Sequence, residues 1–353
     1  MNKKPHNKGP YNVTIIYDAP GGQVVPVEAR ALSSPPETPA GPIMLPLWQA
    51  AALFSVVFGL LTLGGAFPWI TGERPGSFSN AEAVVAPVPE DPFQNISLEA
   101  DAALVFDIVR GETLFEKNAE AQLPLASLAK LMTALIAEET LGDDTVVALD
   151  KNAIAEEGDN GLLVDEKWRK EDLIALTLLA SSNDGAHALA EAARETLATS
   201  TEAMPASFAD TMNARAGELG LSQTFFLNAA GLDVHAHESG AYGSARDIAR
   251  LMAYILAHEP QIFDATAKVS HAFVSLNGVS HLLKNTNDSV SDLPGLVASK
   301  TGFTDLAGGN LAVIIEAGPM YPIAIVVLGS TAEERFSDVE RLVWAALQKL
   351  NDE

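Results

Sequence analysis

The sequence predicts a mixed α/β domain over residues 96–353, with a sheet built from the two ends of the domain around a helical insertion and one membrane-crossing helix ahead of it. Three observations carry this reading. Strand-like runs open and close the domain, AALVFDIVRGETLFEKN from Ala102, then NLAVIIE from Asn310 and YPIAIVVLG from Tyr321. Apolar residues at three- and four-residue steps fill much of the chain between them. Leu47 to Ile70 is free of charge throughout, long enough at 1.5 Å per residue to cross a bilayer core of roughly 30 Å.

Taken in order, residues 1–46 hold short polar and proline-rich pieces such as SSPPETPAGP, with one strand-like piece, NVTIIYD, from Asn12 to Asp18. They are expected to form a largely disordered tail. Trp48 and Trp69 stand near the ends of the 47–70 run as interface anchors do. Lys3, Lys4 and Lys8 precede it, which favours a cytoplasmic amino terminus, an uncleaved signal anchor in the cell membrane, and an extracytoplasmic remainder. Residues 71–95, rich in Pro, Gly, Ser and Ala, read as a linker. Most of the 20 prolines lie before residue 93, so the composition changes where the domain begins.

The opening run alternates about a turn at Gly111 and reads as a β-hairpin. PLASLAKLMTALIA follows as a helix that starts at Ser127, with Pro124 just ahead of its first turn and Leu128, Leu131, Met132, Leu135 and Ile136 on apolar positions. Further helices are expected over Leu173 to Leu179, Ala186 to Leu197 and Ala206 to Leu219. The last, Glu333 to Leu350, places Phe336, Val339, Leu342, Val343, Ala346 and Leu350 on one face to cover the sheet.

Composition excludes some functions. The net charge of −24, from 46 acidic and 22 basic residues, repels a phosphate backbone, so nucleic acid is not an expected partner. With no cysteine there is neither a disulfide nor a thiolate metal site. His235-x-His237 lies beside Asp233 and Glu238 but lacks a third ligand at regular spacing, so no metal is expected. His187, on a helix among alanines, reads as structural.

Three short patterns carry chemistry. Ser127 opens the first helix and Lys130 follows one turn later on the same face, within reach of the serine oxygen. A serine needs a base beside it, and a lysine serves when burial lowers its pKa. Alone, the pair fits equally a capping serine before a surface lysine. In LLASSNDGAHALAE, Ser181 and Asn183 project from a break between helices, where a hydroxyl can relay a proton and an amide can hold a carbonyl and steady a lysine. Asn183 or Asp184 also fits the cap of the following helix. In LVASKTGFTDLAGG, Lys300 and Thr301 can hold a carboxylate, and Gly302 lets a substrate backbone lie close to a strand edge.

Together and in this order, Ser-x-x-Lys, Ser-x-Asn and Lys-Thr-Gly are the motif set of penicillin-recognising serine enzymes. With MNARAGELGLSQTFFLNAAGLD from Met212, SARDIARL from Ser244, KNTN from Lys284 and KTGFTDLAGG from Lys300, the chain resembles the serine D-alanyl-D-alanine carboxypeptidases over about residues 98–347. These are the low-molecular-mass penicillin-binding proteins. The resemblance implies a β-lactamase/transpeptidase-like fold, an antiparallel sheet flanked by helices with the site at the junction with an all-helical region.

It also implies roles. Ser127 attacks the peptide carbonyl with Lys130 as base, although related enzymes differ on which group takes the first proton. Ser181 passes the proton to the leaving D-alanine, Asn183 orients substrate and Lys130, and Lys300 and Thr301 read the terminal carboxylate. Backbone N–H groups of Ser127 and Phe303 form the oxyanion hole, and Arg335 assists carboxylate recognition. The implied partners are a peptidoglycan stem peptide ending in D-Ala-D-Ala, β-lactams as covalent inhibitors, and the bilayer through residues 47–70; no cofactor is implied. A β-rich second domain and a carboxy-terminal amphipathic anchor, found in many relatives, are not expected after Glu353. The alternatives are an endopeptidase sharing every motif, a penicillin sensor, and a β-lactamase, against which no Glu-x-x-Leu-Asn pattern occurs between Asn183 and Lys300.

Overall fold

The computed structural model describes residues 91–158, 161–200 and 207–351. The expected tail, its strand-like piece, the membrane segment at 47–70 and nearly all of the 71–95 linker lie outside the described residues. Among the described residues no helix is long and apolar enough to cross a membrane.

The organising element is a five-stranded antiparallel sheet. Its strands are β1 (Ala102–Asp107), β2 (Glu112–Lys117), β3 (Leu296–Thr304), β4 (Gly308–Glu316) and β5 (Pro322–Ser330), in the order β3-β4-β5-β1-β2. The amino-terminal hairpin therefore pairs through β1 with β5, placing Ala102 opposite Leu328 and Asp107 opposite Ile323. The two ends of the domain meet in one sheet, as the terminal strand runs imply.

The central strands are apolar over most of their length because both faces are covered. Ala102, Leu104, Ala312, Ile314, Ala324, Val326 and Leu328 point into one core and Ala103, Val105, Leu311, Val313, Ile323, Ile325 and Val327 into the other. Helix α6 (Glu334–Asn351) closes the second core through Val339, Leu342, Val343 and Ala346. The first core continues into the helical region, α1 (Lys130–Thr140), α2 (Lys170–Leu179), α3 (Asn183–Ser200), α4 (Phe208–Glu218) and α5 (Ala245–His258). Helix α5 lies on the sheet, whereas α1 packs against α2, α3 and α5 and is buried at every residue from Lys130 to Ala137.

Helix starts follow local chemistry. Ser207 and Asp210 form a reciprocal capping box at α4, and the Asp247 backbone N–H donates to Ser244 Oγ at α5. Asp247 then accepts from Gln223 N and Thr224 Oγ1, joining α5 to the preceding loop.

Asp338 joins the ends of the fold. This fully buried carboxylate on α6 accepts from Glu99 N at 3.1 Å, Ala100 N at 2.9 Å and Ser330 Oγ at 2.8 Å, and pairs with Arg341 at 2.7 Å. Asp338→Ala leaves these donors without their acceptor and is expected to destabilise the protein by about 3 kcal/mol, read by denaturant unfolding. A change below about 0.5 kcal/mol would show that the join is redundant.

Candidate active site

Edge strand β3 faces the turn that leads into α1 and the break between α2 and α3. Ala126 to Ala129 form a single 3₁₀ turn and α1 begins only at Lys130, so Ser127 lies one turn ahead of the α-helix proper. Ahead of that turn, the short strand Leu123–Pro124 is fixed by Asn310 of β4, whose Nδ2 donates to Pro124 O at 3.0 Å. Ala126 takes a left-handed φ of +48° and Ser181 one of +58°. Such non-glycine conformations cost about 1–2 kcal/mol each, and they lie at the two loops that present the serines.

Two glycines permit the approach of the three segments. A Cβ on Gly231, where φ is +78°, would lie 1.9 Å from Ala126 O. A Cβ on Gly302 would lie 2.7 Å from Leu125 O, and 3.3 Å from Ser127 N, so β3 runs directly alongside the serine backbone.

Lys130 sits at the centre. Its Nζ is 2.9 Å from Ser127 Oγ, 2.6 Å from Asn183 Oδ1 and 2.8 Å from Ala230 O, and the residue is fully buried. Desolvation lowers its pKa from 10.5 to about 7, against a smaller opposing pull from the Glu156 charge. The geometry orders the protons. Two of the three neighbours, the Asn183 and Ala230 carbonyls, can only accept, so a neutral amine gives them its two hydrogens and turns its lone pair to the Ser127 hydroxyl.

A second buried lysine lies beyond. Lys300 donates to Ser181 Oγ at 2.9 Å and to Thr301 O at 2.7 Å. Burial first, then the Lys130 and Arg335 charges, hold its pKa well below the lysine range. Thr301 Oγ1 is 2.6 Å from Thr286 Oγ1, and Arg335 Nη1 donates to Gly302 O at 2.9 Å. Burial lowers the Arg335 pKa. Two basic side chains, Lys300 and Arg335, thus lie at one end of the site in a strongly acidic protein, an electrostatic setting for an anion. The Phe303 side chain is half exposed just beyond Gly302.

The structure therefore brings Ser127, Lys130, Ser181, Asn183, Lys300, Thr301, Gly302 and Arg335 together along connected contacts, with Phe303 next on the strand. Sequence reasoning missed the groups that hold them. Asn183 Nδ2 donates to Glu157 O at 2.5 Å, His187 Nδ1 lies 2.8 Å from Glu156 Oε1, and Thr304 Oγ1 donates to Asp233 Oδ1 at 3.0 Å. Apart from the i, i+4 spacing of Asn183 and His187, no sequence pattern marks these contacts, because their partners are distant in the chain. Next to Ala230 opens a cavity of about 500 Å³ bounded by Glu156, Glu157, His187, Asn228, Leu232 and Asp233. His235 and His237 are exposed, and among the described residues no group of three His, Asp or Glu side chains is placed to hold a metal ion.

D-alanyl-D-alanine carboxypeptidase DacF of Bacillus subtilis is 30% identical over 251 residues, covering 69% of this chain and 61% of that protein. The chain thus matches about three fifths of that relative's length. A D-alanyl-D-alanine endopeptidase of Pseudomonas aeruginosa is 26% identical over 276 residues, covering 75% of this chain and 84% of that protein. The crystal structure of penicillin-binding protein D2 from Listeria monocytogenes in its ampicillin-bound form superimposes with a TM-score of 0.58 at 31% identity, covering 71% of this chain and 98% of that one. The D-alanyl-D-alanine carboxypeptidase family matches residues 88–332, which is most of the chain and every described element from β1 to β5, and the chain belongs to that family.

Proposed function

We propose that this protein is a membrane-anchored, extracytoplasmic serine D-alanyl-D-alanine carboxypeptidase that removes the terminal D-alanine from peptidoglycan stem peptides through an acyl-enzyme on Ser127. The observation that carries the reading is the set of Lys130 contacts, which leaves the amine lone pair directed at Ser127 Oγ, 2.9 Å away. The anchor rests on the charge-free run at 47–70.

The chemistry follows from the placement. Ser127 Oγ bonds to the carbonyl carbon of the penultimate D-alanine while its proton passes to Lys130 Nζ. The developing oxyanion is received by the Ser127 and Phe303 backbone N–H groups, a contribution of about 3 kcal/mol per donor. Lys300 and Thr301, with Arg335 behind Gly302, take the terminal carboxylate. The C–N bond breaks as Ser181 Oγ, linked to Lys300 at 2.9 Å, hands its proton to the leaving amine and takes up the one held on Lys130, which returns that lysine to the neutral base. Water then hydrolyses the ester. A β-lactam follows the same first step, but its cleaved amine stays attached.

A second reading, a DD-endopeptidase, is favoured by the Pseudomonas relative of that name, which this chain matches over 84% of its length. The two readings share the nucleophile and differ in the leaving group.

Full-length protein incubated with benzylpenicillin is expected to gain one penicilloyl mass on Ser127, and to release D-alanine from diacetyl-Lys-D-Ala-D-Ala, with both signals absent in Ser127→Ala. An adduct without D-alanine release moves the assignment to the endopeptidase, and no adduct removes the serine mechanism altogether.

The pH dependence has a definite sign. Neutral Lys130 is the competent base, and its pKa of about 7 lies below that of an exposed lysine. The acylation rate should therefore rise as pH passes about 7 and level off above it. A limb near pH 10 instead would mean that Lys130 is not desolvated in the working enzyme.

A further inference from the structure

We propose that His187 and Glu156 form a positioning couple, which clamps the loop at 156–157 to α3 so that the Glu157 carbonyl sets the Asn183 amide with its oxygen facing Lys130. The inference rests on the reading of Ser127 and Lys130 as nucleophile and base, and it assigns work to a histidine that the sequence marks only as structural.

An asparagine amide has a donor end and an acceptor end of nearly the same shape, and the site needs the acceptor end on Lys130. A neighbour must therefore hold the donor end. Glu157 O does so at 2.5 Å from Asn183 Nδ2, while Asn183 Oδ1 meets Lys130 Nζ at 2.6 Å. With the amide turned over, an N–H would face the amine hydrogens and an oxygen would face a carbonyl, two repulsions in place of two hydrogen bonds. The orientation thus depends on where the loop holds its carbonyl.

The loop is held from the same helix face. His187 is four residues after Asn183 on α3, one turn along. Its Nδ1 is 2.8 Å from Glu156 Oε1, and because a carboxylate only accepts, the imidazole carries its proton on Nδ1 and donates it. Consecutive side chains along one face of α3 therefore grip consecutive loop residues, His187 on Glu156 and Asn183 on Glu157. Gly158, at φ +94°, turns the chain immediately afterwards, and a Cβ there would come within 3.4 Å of Asn183 Nδ2. His187 and Glu156 do not touch Ser127, so they position a group and do not themselves react.

The test uses the full-length protein carrying His187→Ala, His187→Gln, Glu156→Ala and the alanine double variant. With diacetyl-Lys-D-Ala-D-Ala, His187→Ala is expected to lower kcat about tenfold with KM changed less than about twofold, and to slow penicilloylation in the same proportion. His187→Gln, whose amide can donate to Glu156, should recover to within about threefold of the parent, and the double variant should be no worse than either single. Unchanged kcat in His187→Ala, a glutamine variant as slow as the alanine one, or multiplicative losses in the double variant would each overturn the couple. A crystal structure of His187→Ala reads the claim without turnover, and a retained Asn183 Nδ2 to Glu157 O bond would also overturn it. If the parent protein proves inactive while that bond is lost in the variant, the functional reading falls and the positioning couple stands.

Discussion

The structure depends on keeping one lysine dry. Lys130 is enclosed at the start of a helix that is buried on all sides, and an amine in such a place is tolerated only when its hydrogens have acceptors. Those partners come from three parts of the chain: the first residue of α3 and the loop at Ala230 accept its hydrogens, and the Ser127 hydroxyl meets its lone pair. Each must arrive within hydrogen-bond distance for the buried amine to be stable, so the requirement that lowers its pKa also fixes the geometry around Ser127. The positive φ of Ala126 and the absence of a Cβ at Gly231 are consequences of the same crowding.

The sheet supplies the other wall. Both faces of its central strands are covered, and β3 remains at the edge with Lys300 and Thr301 buried. An edge strand leaves backbone groups unpaired on its outer side, which suits it to take an extended peptide as a further strand. Lys130, Lys300 and Arg335 place three basic side chains in this small space. Two of them are lysines whose charge burial opposes, so the site can offer positive charge to a carboxylate and a neutral base to a hydroxyl a few ångströms away.

Much of the architecture was legible along the chain. The amino-terminal hairpin, the two closing strands and the helix after them are strong, regular patterns, and the last helix was found to within one residue at each end. Helix α5 and the hairpin of Ser270–Val274 with Ser280–Lys284 were not. The outer face of that hairpin carries Val274 and Leu282, both exposed, which blurs the alternation that marks a half-buried strand. The helix expected to start at Ser127 begins as an α-helix only at Lys130, since Ser127 belongs to a 3₁₀ turn, with Pro124 in a short strand ahead of it. Single-turn 3₁₀ segments share the spacing of a helix start, so periodicity does not separate them.

The sequence by itself determined which groups are available and which can meet within one element: Ser127 with Lys130, Ser181 beside Asn183, and the run from Lys300 to Phe303. Such contacts follow from helix and strand periodicity, which is local. Only the tertiary structure decided which end of the Asn183 amide faces Lys130, that Asn310 braces Pro124, that Thr286 meets Thr301, and that Ala230 supplies the second acceptor. The physical reason is that a hydrogen bond between separate elements, or to a backbone carbonyl that every residue possesses, leaves no mark on composition or spacing. It exists because packing the two cores of the sheet brings those segments together.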